Sequence, residues 1–164
     1  MIILGIDPGS LITGYGFIRG EGNRLLMMEA GPIRLKKQGD MAYRLLHLAD
    51  FLDNKIAEVK PDVISIEKVF HGVNFNSTLA LGYVRGVVLM TAARHQLTIA
   101  EYSPTQVKKT ITGYGRAEKT QMQEMVRMLL NLREVPKPAD VADALALAIC
   151  HAHTGPIMTR YRET

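Results

Sequence analysis

Cysteine is nearly absent: the chain of 164 residues holds one, Cys150. A single thiol excludes an internal disulfide and suits a reducing compartment. Its setting, "ALAICHA", is that of a buried, inert thiol and not of a nucleophile. Long apolar runs are missing too. The longest with helical character, "GVVLMTAA", is too short to cross a bilayer. Nor does the chain open on a basic flank, an apolar run and a small-residue cleavage site. The expectation is a cytoplasmic protein with no membrane partner. Charge of one sign is scarce, since the net charge is only +4, which permits a nucleic-acid partner without demanding one. Internal repeats, low-complexity tracts and linkers are lacking as well. One domain over 1–164 is expected, with about 155–164 as a loose tail.

What is present reads as mixed α/β. "MIILGID" is an apolar strand closed by the turn signal Pro8-Gly9-Ser10. "TGYGFIRG" and "RLLMMEAGPI" follow as two further strands with short connections, hence an antiparallel meander. Leu45, Leu48, Ala49, Leu52 and Ile56 recur at helical spacing over 41–59, and Pro61 ends that helix. "DVISIE" is a buried strand closing at Glu67. "NSTLALGYVRGVVLMTAARH" is a long helix, apolar on nearly every face, with Asn76 or Ser77 as its cap. Gly82 and Gly86 on it would allow another helix to come close. "TIAEY" is the fifth strand, expected to run parallel to "DVISIE". A short basic helix from Ser103-Pro104, a loop "TGYGRAEK", a helix from Lys119 and a last helix "ADVADALALAI" complete the chain.

Four acids stand out. Asp7 and Glu67 each end an otherwise apolar strand, where an ionised carboxylate is costly unless paired, hydrogen-bonded or bound to a cation. Asp140 and Asp143 lie three apart, on one face of the last helix. Each has a plain structural explanation. Asp7 can cap its own turn, Glu67 can reach water or Lys68, and acids in a first helical turn suit the helix dipole. Taken together they suggest a second explanation: four oxygen donors converging where the last helix packs beside the strand ends. Such a cluster repels itself, and a hard divalent ion such as Mg²⁺ or Mn²⁺ relieves it. Two ions about 4 Å apart would form a clamp for in-line attack on a phosphodiester. From spacing alone both explanations stay open.

Basic residues supply a second line. Lys108 and Lys109 lie in the short helix, and Arg116 and Lys119 flank a glycine-containing loop suited to close approach of a phosphate. Phe70, just past Glu67, is either core or a platform for an unpaired base.

Long motifs, in order, then match a known family. "GIDPGSLITGYG", "IEKVF", "NSTLALGYVRG", "TGYGRAEKTQM" and "ADVADALALAICHAH" resemble the bacterial RuvC family of Holliday junction resolvases, over residues 2 to about 153. The resemblance implies a ribonuclease H-like fold, a five-stranded mixed sheet flanked by helices. It also implies a homodimer that nicks two strands of a four-way DNA junction symmetrically, in recombination and repair. The family's acidic quartet falls on Asp7, Glu67, Asp140 and Asp143, with two Mg²⁺ ions per subunit expected and Mn²⁺ able to substitute. At the third position the family carries Asp or His, so Asp140 is within pattern. Its base-stacking aromatic falls on Phe70 and its basic residues near the scissile phosphate on Lys108 and Lys119. Its dimer helix coincides with the segment around Gly82 and Gly86. Cooperation with the RuvA–RuvB branch-migration motor is implied as well. Three rivals remain to be separated: an actin-like ATPase sharing the "GIDPGS" loop, a non-catalytic junction-binding subunit, and a nuclease for RNA–DNA hybrids.

Overall fold

The computed structural model describes residues 1–68 and 75–160. Five strands, β1 (Ile2–Asp7), β2 (Ile12–Glu21), β3 (Arg24–Arg34), β4 (Val63–Glu67) and β5 (Thr98–Tyr102), form one sheet in the order β3-β2-β1-β4-β5. Pairing is antiparallel across β3, β2 and β1, and parallel from β1 through β4 to β5. The meander and the parallel half therefore meet at β1, in the middle of the sheet.

Helices cover both faces. On one side lie α1 (Met41–Val59) and α2 (Phe75–Arg94). On the other lie α3 (Pro104–Thr112), α4 (Lys119–Leu129) and α5 (Ala139–Arg160). The strands alternate with a period of two, and both alternate sets are used. Leu4 and Ile6 pack with Leu48, Leu52 and Val84 beneath α1 and α2. Ile3 packs with Val126, Val141 and Leu145 beneath α4 and α5. A sheet buried on both faces needs near-continuous apolar strands, and "IILGI" and "VISI" supply them.

One row across the sheet is made only of small residues. Ala30, Gly16, Gly5, Ser65 and Ala100 stand side by side on the five strands. The backbone of α5 lies directly on this row. A Cβ added at Gly5 would stand 1.9 Å from Ala144 O, and one at Gly16 would stand 2.5 Å from Leu145 Cδ2. Ser65 Oγ donates to Leu147 O at 2.7 Å, a buried tether between β4 and the helix. Helix α5 is thus set against the sheet at backbone contact, not at the usual side-chain distance.

Several expected boundaries shift. Helix α2 begins at Phe75, so Asn76 and Ser77 lie inside it and neither is its cap. A short 3-10 turn, Lys36–Gln38, precedes α1. Helix α4 stops at Leu129, and the chain turns through Asn131 at φ 52°. The backbone of α5 continues through Gly155 and Pro156 to Arg160, into the segment expected to be loose. Cys150 is buried as expected, its thiol pushed up by desolvation.

Candidate active site

The alternation that places Gly5 and Ser65 under α5 also decides where the acids point. Asp7 lies two residues beyond Gly5, and Glu67 two beyond Ser65, so both carboxylates emerge on the α5 face. Ile6 stands opposite Ile66 in the register, which brings Asp7 and Glu67 side by side at the ends of adjacent strands. Thr13 closes the turn after Asp7, its Oγ1 donating to Gly9 O at 3.0 Å and accepting from Gly9 N at 3.3 Å. Among the described residues, Thr13 supplies the side-chain hydrogen bonds of that turn.

The first turn of α5 is pinned beside them. Gly14 pairs with Asp7 across the β1–β2 ladder. A Cβ added at Gly14 would stand 1.9 Å from Asp140 O. Only glycine lets the helix start come this close. Asp140 occupies the first helical turn, consistent with the dipole, and Asp143 follows on the same face. Both explanations of the helix acids therefore describe one arrangement.

Asp7 senses the charges of the other three acids. The Asp7 carboxyl is raised from 3.8 to about 7, first by burial, then by the charges of Asp143, Glu67 and Asp140, with Lys119 acting in the opposite sense. Glu67 is also raised, by burial and by Asp143, and Lys108 opposes this. Asp7, Glu67 and Asp143 line a hollow of about 240 Å³ with Lys108, Lys119 and Met122. Lys119 Nζ lies 3.2 Å from Asp143 Oδ2. Among the described residues no three Asp, Glu, His or Cys side chains are already gathered into a ready-made coordination shell. The donor set nevertheless fits a hard divalent cation, being all carboxylate oxygen, and the repulsion among the acids, only partly offset by Lys108 and Lys119, is of the kind such a cation relieves.

The expected basic residues divide. Lys119 is the first residue of α4, whose start is held by Glu118 N donating to Gln121 Oε1 at 3.1 Å. Lys108 sits on α3, itself started by the Ser103–Gln106 capping box. Both face the acids. Arg116 is exposed in the intervening loop and does not line the hollow. Phe70 lies outside the described residues. A larger hollow of about 460 Å³, bordered by Met1, Gly20, Asn23, Leu25 and His153, has no carboxylate among the described residues of its lining.

A family model, "Crossover junction endodeoxyribonuclease RuvC", matches residues 3–151. The chain belongs to this family. The family member of Alkaliphilus oremlandii is 52% identical over 155 residues, which is 94% of each chain. Among solved structures, Thermus thermophilus RuvC is 28% identical, with a TM-score of 0.88 over 97% of this chain and 98% of that one. The same Thermus protein in complex with a Holliday junction substrate superposes with a TM-score of 0.89, at 26% identity and equal coverage. Against this background the ribonuclease H-like expectation for the fold holds, and the actin-like alternative falls away.

Sequence reasoning missed three contacts that shape the site. Gly14 and Ser65 fix α5, and Arg85 touches Glu67. A glycine opposite Asp7 was a usable signal once the strand register was known. Nothing in "GYVRG" points to Glu67.

Proposed function

We propose that this chain resolves four-way DNA junctions as a homodimer, by metal-dependent hydrolysis of one phosphodiester in each of two strands. The observation that carries this is the meeting of Asp7 and Glu67, at adjacent strand ends, with the first turn of α5, in a member of the family. Asp7, Glu67, Asp140 and Asp143 would hold the divalent ions, two Mg²⁺ per subunit with Mn²⁺ as a substitute. When bound there, such ions neutralise the acids, activate water and stabilise the leaving oxygen.

The protein's own groups do the rest. Lys119, held toward the site by Asp143, would set its positive charge beside the negative charge that develops on the phosphate. Lys108 lies on the Glu67 side and contributes to the same field. Arg116, outside the hollow, suits a contact to the DNA backbone farther from the cut. Phe70, two residues past Lys68, is assigned base stacking on the resemblance alone.

A junction has two-fold symmetry, and an isologous dimer reproduces it. Helix α2 suits that interface. Its outer side exposes Phe75, Leu79, Tyr83 and Met90, and a Cβ at Gly82 or Gly86 would meet open space within the subunit. No helix among the described residues is long and apolar enough to cross a membrane. A cytoplasmic site of action, one nuclease domain over the whole chain, and cooperation with a RuvA–RuvB motor complete the proposal.

The test is cleavage of a synthetic, mobile four-way junction with Mg²⁺ or with chelator, the nicks being mapped on all four strands. Paired nicks on opposing strands, dependent on the metal, are expected. Tight binding with no nick under either condition would instead mark a non-catalytic binding subunit.

A further inference from the structure

The backbone carbonyl of Glu67 sits where the parallel ladder runs out. Lys68 N donates to Tyr102 O at 2.9 Å, across to β5. Successive residues of a strand face opposite neighbours, so the N–H and C=O of Glu67 face β1 instead. With Ile6 opposite Ile66 and Asp7 therefore opposite Glu67, the next donor on that side is the residue after Asp7. That residue is Pro8, which has no N–H. The ladder thus leaves the carbonyl of Glu67 without its strand partner.

A side chain from the far face of the sheet takes that place. Arg85 Nη1 donates to Glu67 O at 2.8 Å, while Nη2 pairs with the carboxylate of Glu101 on β5. The Arg85 side chain is only 15% exposed. It borders a second hollow together with Asp7, Pro8 and Glu67. A guanidinium is suited to this double duty because its donors are fixed in one plane. Arg85 also lies between Gly82 and Gly86, on the helix whose outer side is apolar and exposed.

We propose that Arg85 is a positioning residue for Glu67, supplying the hydrogen bond that Pro8 cannot and tying the end of β4 to α2. The inference rests on Glu67 being a metal-binding carboxylate. Arg85 would touch neither metal nor DNA. It would act by holding the peptide from which the carboxylate projects, as groups behind a metal ligand commonly do.

The test uses the full chain and four variants: R85M, R85K, E67Q and the double variant P8A/R85M, the last restoring a backbone N–H beside Glu67. Mn²⁺ affinity of the free protein is measured by calorimetry, and kcat and KM are measured on a synthetic junction. In R85M, Mn²⁺ affinity and kcat should each fall about 10–100-fold, the range found when a group behind a metal ligand is removed. KM and sedimentation mass should stay at wild-type values. R85K and P8A/R85M should each recover part of both losses. Wild-type kcat and Mn²⁺ affinity in R85M would overturn the proposal, as would a raised KM with kcat intact, which would make Arg85 a DNA contact. If R85M fails to fold, P8A/R85M decides: recovery of folding with activity supports the proposal, and its absence overturns it. Nicking by E67Q at the wild-type rate would remove the metal-site reading itself, whatever Arg85 does.

Discussion

Lys119 Nζ lies 3.2 Å from Asp143 Oδ2, joining the first residue of α4 to the first turns of α5. The pair is largely open to solvent, with side chains 63% and 37% exposed, so it adds little to stability. Its value lies in where it leaves the ammonium. Replacing Lys119 with Met should change unfolding free energy by no more than about 0.5 kcal/mol. Nicking should fall about 100-fold, the usual cost of losing one charge-stabilising donor. Single-turnover cleavage beside a junction-binding titration checks this. An equal loss in both would make Lys119 a binding residue only.

Asp7 makes the metal-free protein sensitive to pH. Its carboxyl is raised to about 7 in the fold against an ordinary 3.8, so folding favours the protonated form. That stabilisation is complete below about pH 4 and is lost as pH rises through about 7. Glu67 shifts in the same direction. In chelator, the Tm of D7N relative to wild type should therefore rise from about pH 4 to about pH 7 and level off above that. Adding Mg²⁺ at the upper end should raise the wild type and leave D7N nearly unmoved, since only a ligand that binds the folded state stabilises it. A difference in Tm that stays constant with pH would show that Asp7 is not held in a repelling cluster.

Gly14 offers a way to disturb the site without touching an acid. In G14A the new methyl would fall 1.9 Å from Asp140 O, backbone against backbone, so α5 must move. Overpacking of this kind costs about 1–3 kcal/mol. The expected signature is a Tm loss of ordinary size with a much larger loss of nicking, because the displaced turn carries Asp140 and Asp143. Junction binding should persist. Cleavage that falls only in proportion to the folded fraction would contradict it.

The exposed side of α2 should be an interface. Tyr83 is 47% exposed and Leu79 is 42% exposed, beside two glycines with open space around them. A charge at Tyr83 desolvated against a partner helix is unfavourable. Y83E should thus sediment as a folded monomer where the wild type is a dimer, and cut junctions without pairing its nicks. A wild type that is monomeric at micromolar concentration would put the interface elsewhere.

Much of this architecture was legible from residue order. Strand ends at Asp7 and Glu67, the helix over 41–59 and the start of α4 at Lys119 follow from apolar runs, helical spacing and a turn signal, and each stands where expected. Local patterns carry such information because they depend on near neighbours. The acids were legible as a set because a carboxylate at the end of a buried strand is anomalous by itself. What stayed hidden was contact across the sequence. Gly14 against Asp140, Ser65 against Leu147 and Arg85 against Glu67 are separated by 126, 82 and 18 positions, and none leaves a periodic trace. Helix α2, expected from Asn76, starts at Phe75, so neither Asn76 nor Ser77 stands before it as a cap.

The row Ala30–Gly16–Gly5–Ser65–Ala100 has a wider meaning. Because α5 rests on it by steric contact, the acids are aimed by packing and not by the cation they would hold. A helix that slid by one residue along its seat would rise about 1.5 Å and turn by about 100°, carrying both aspartates away from the strand ends. The seat forbids that movement even when the acids are gone. Scaffold and chemistry are therefore separable traits: a descendant that lost all four carboxylates would keep its shape, its basic rim and its outward helix. Such a chain would still be equipped to grip a branched nucleic acid that it had lost the means to cut.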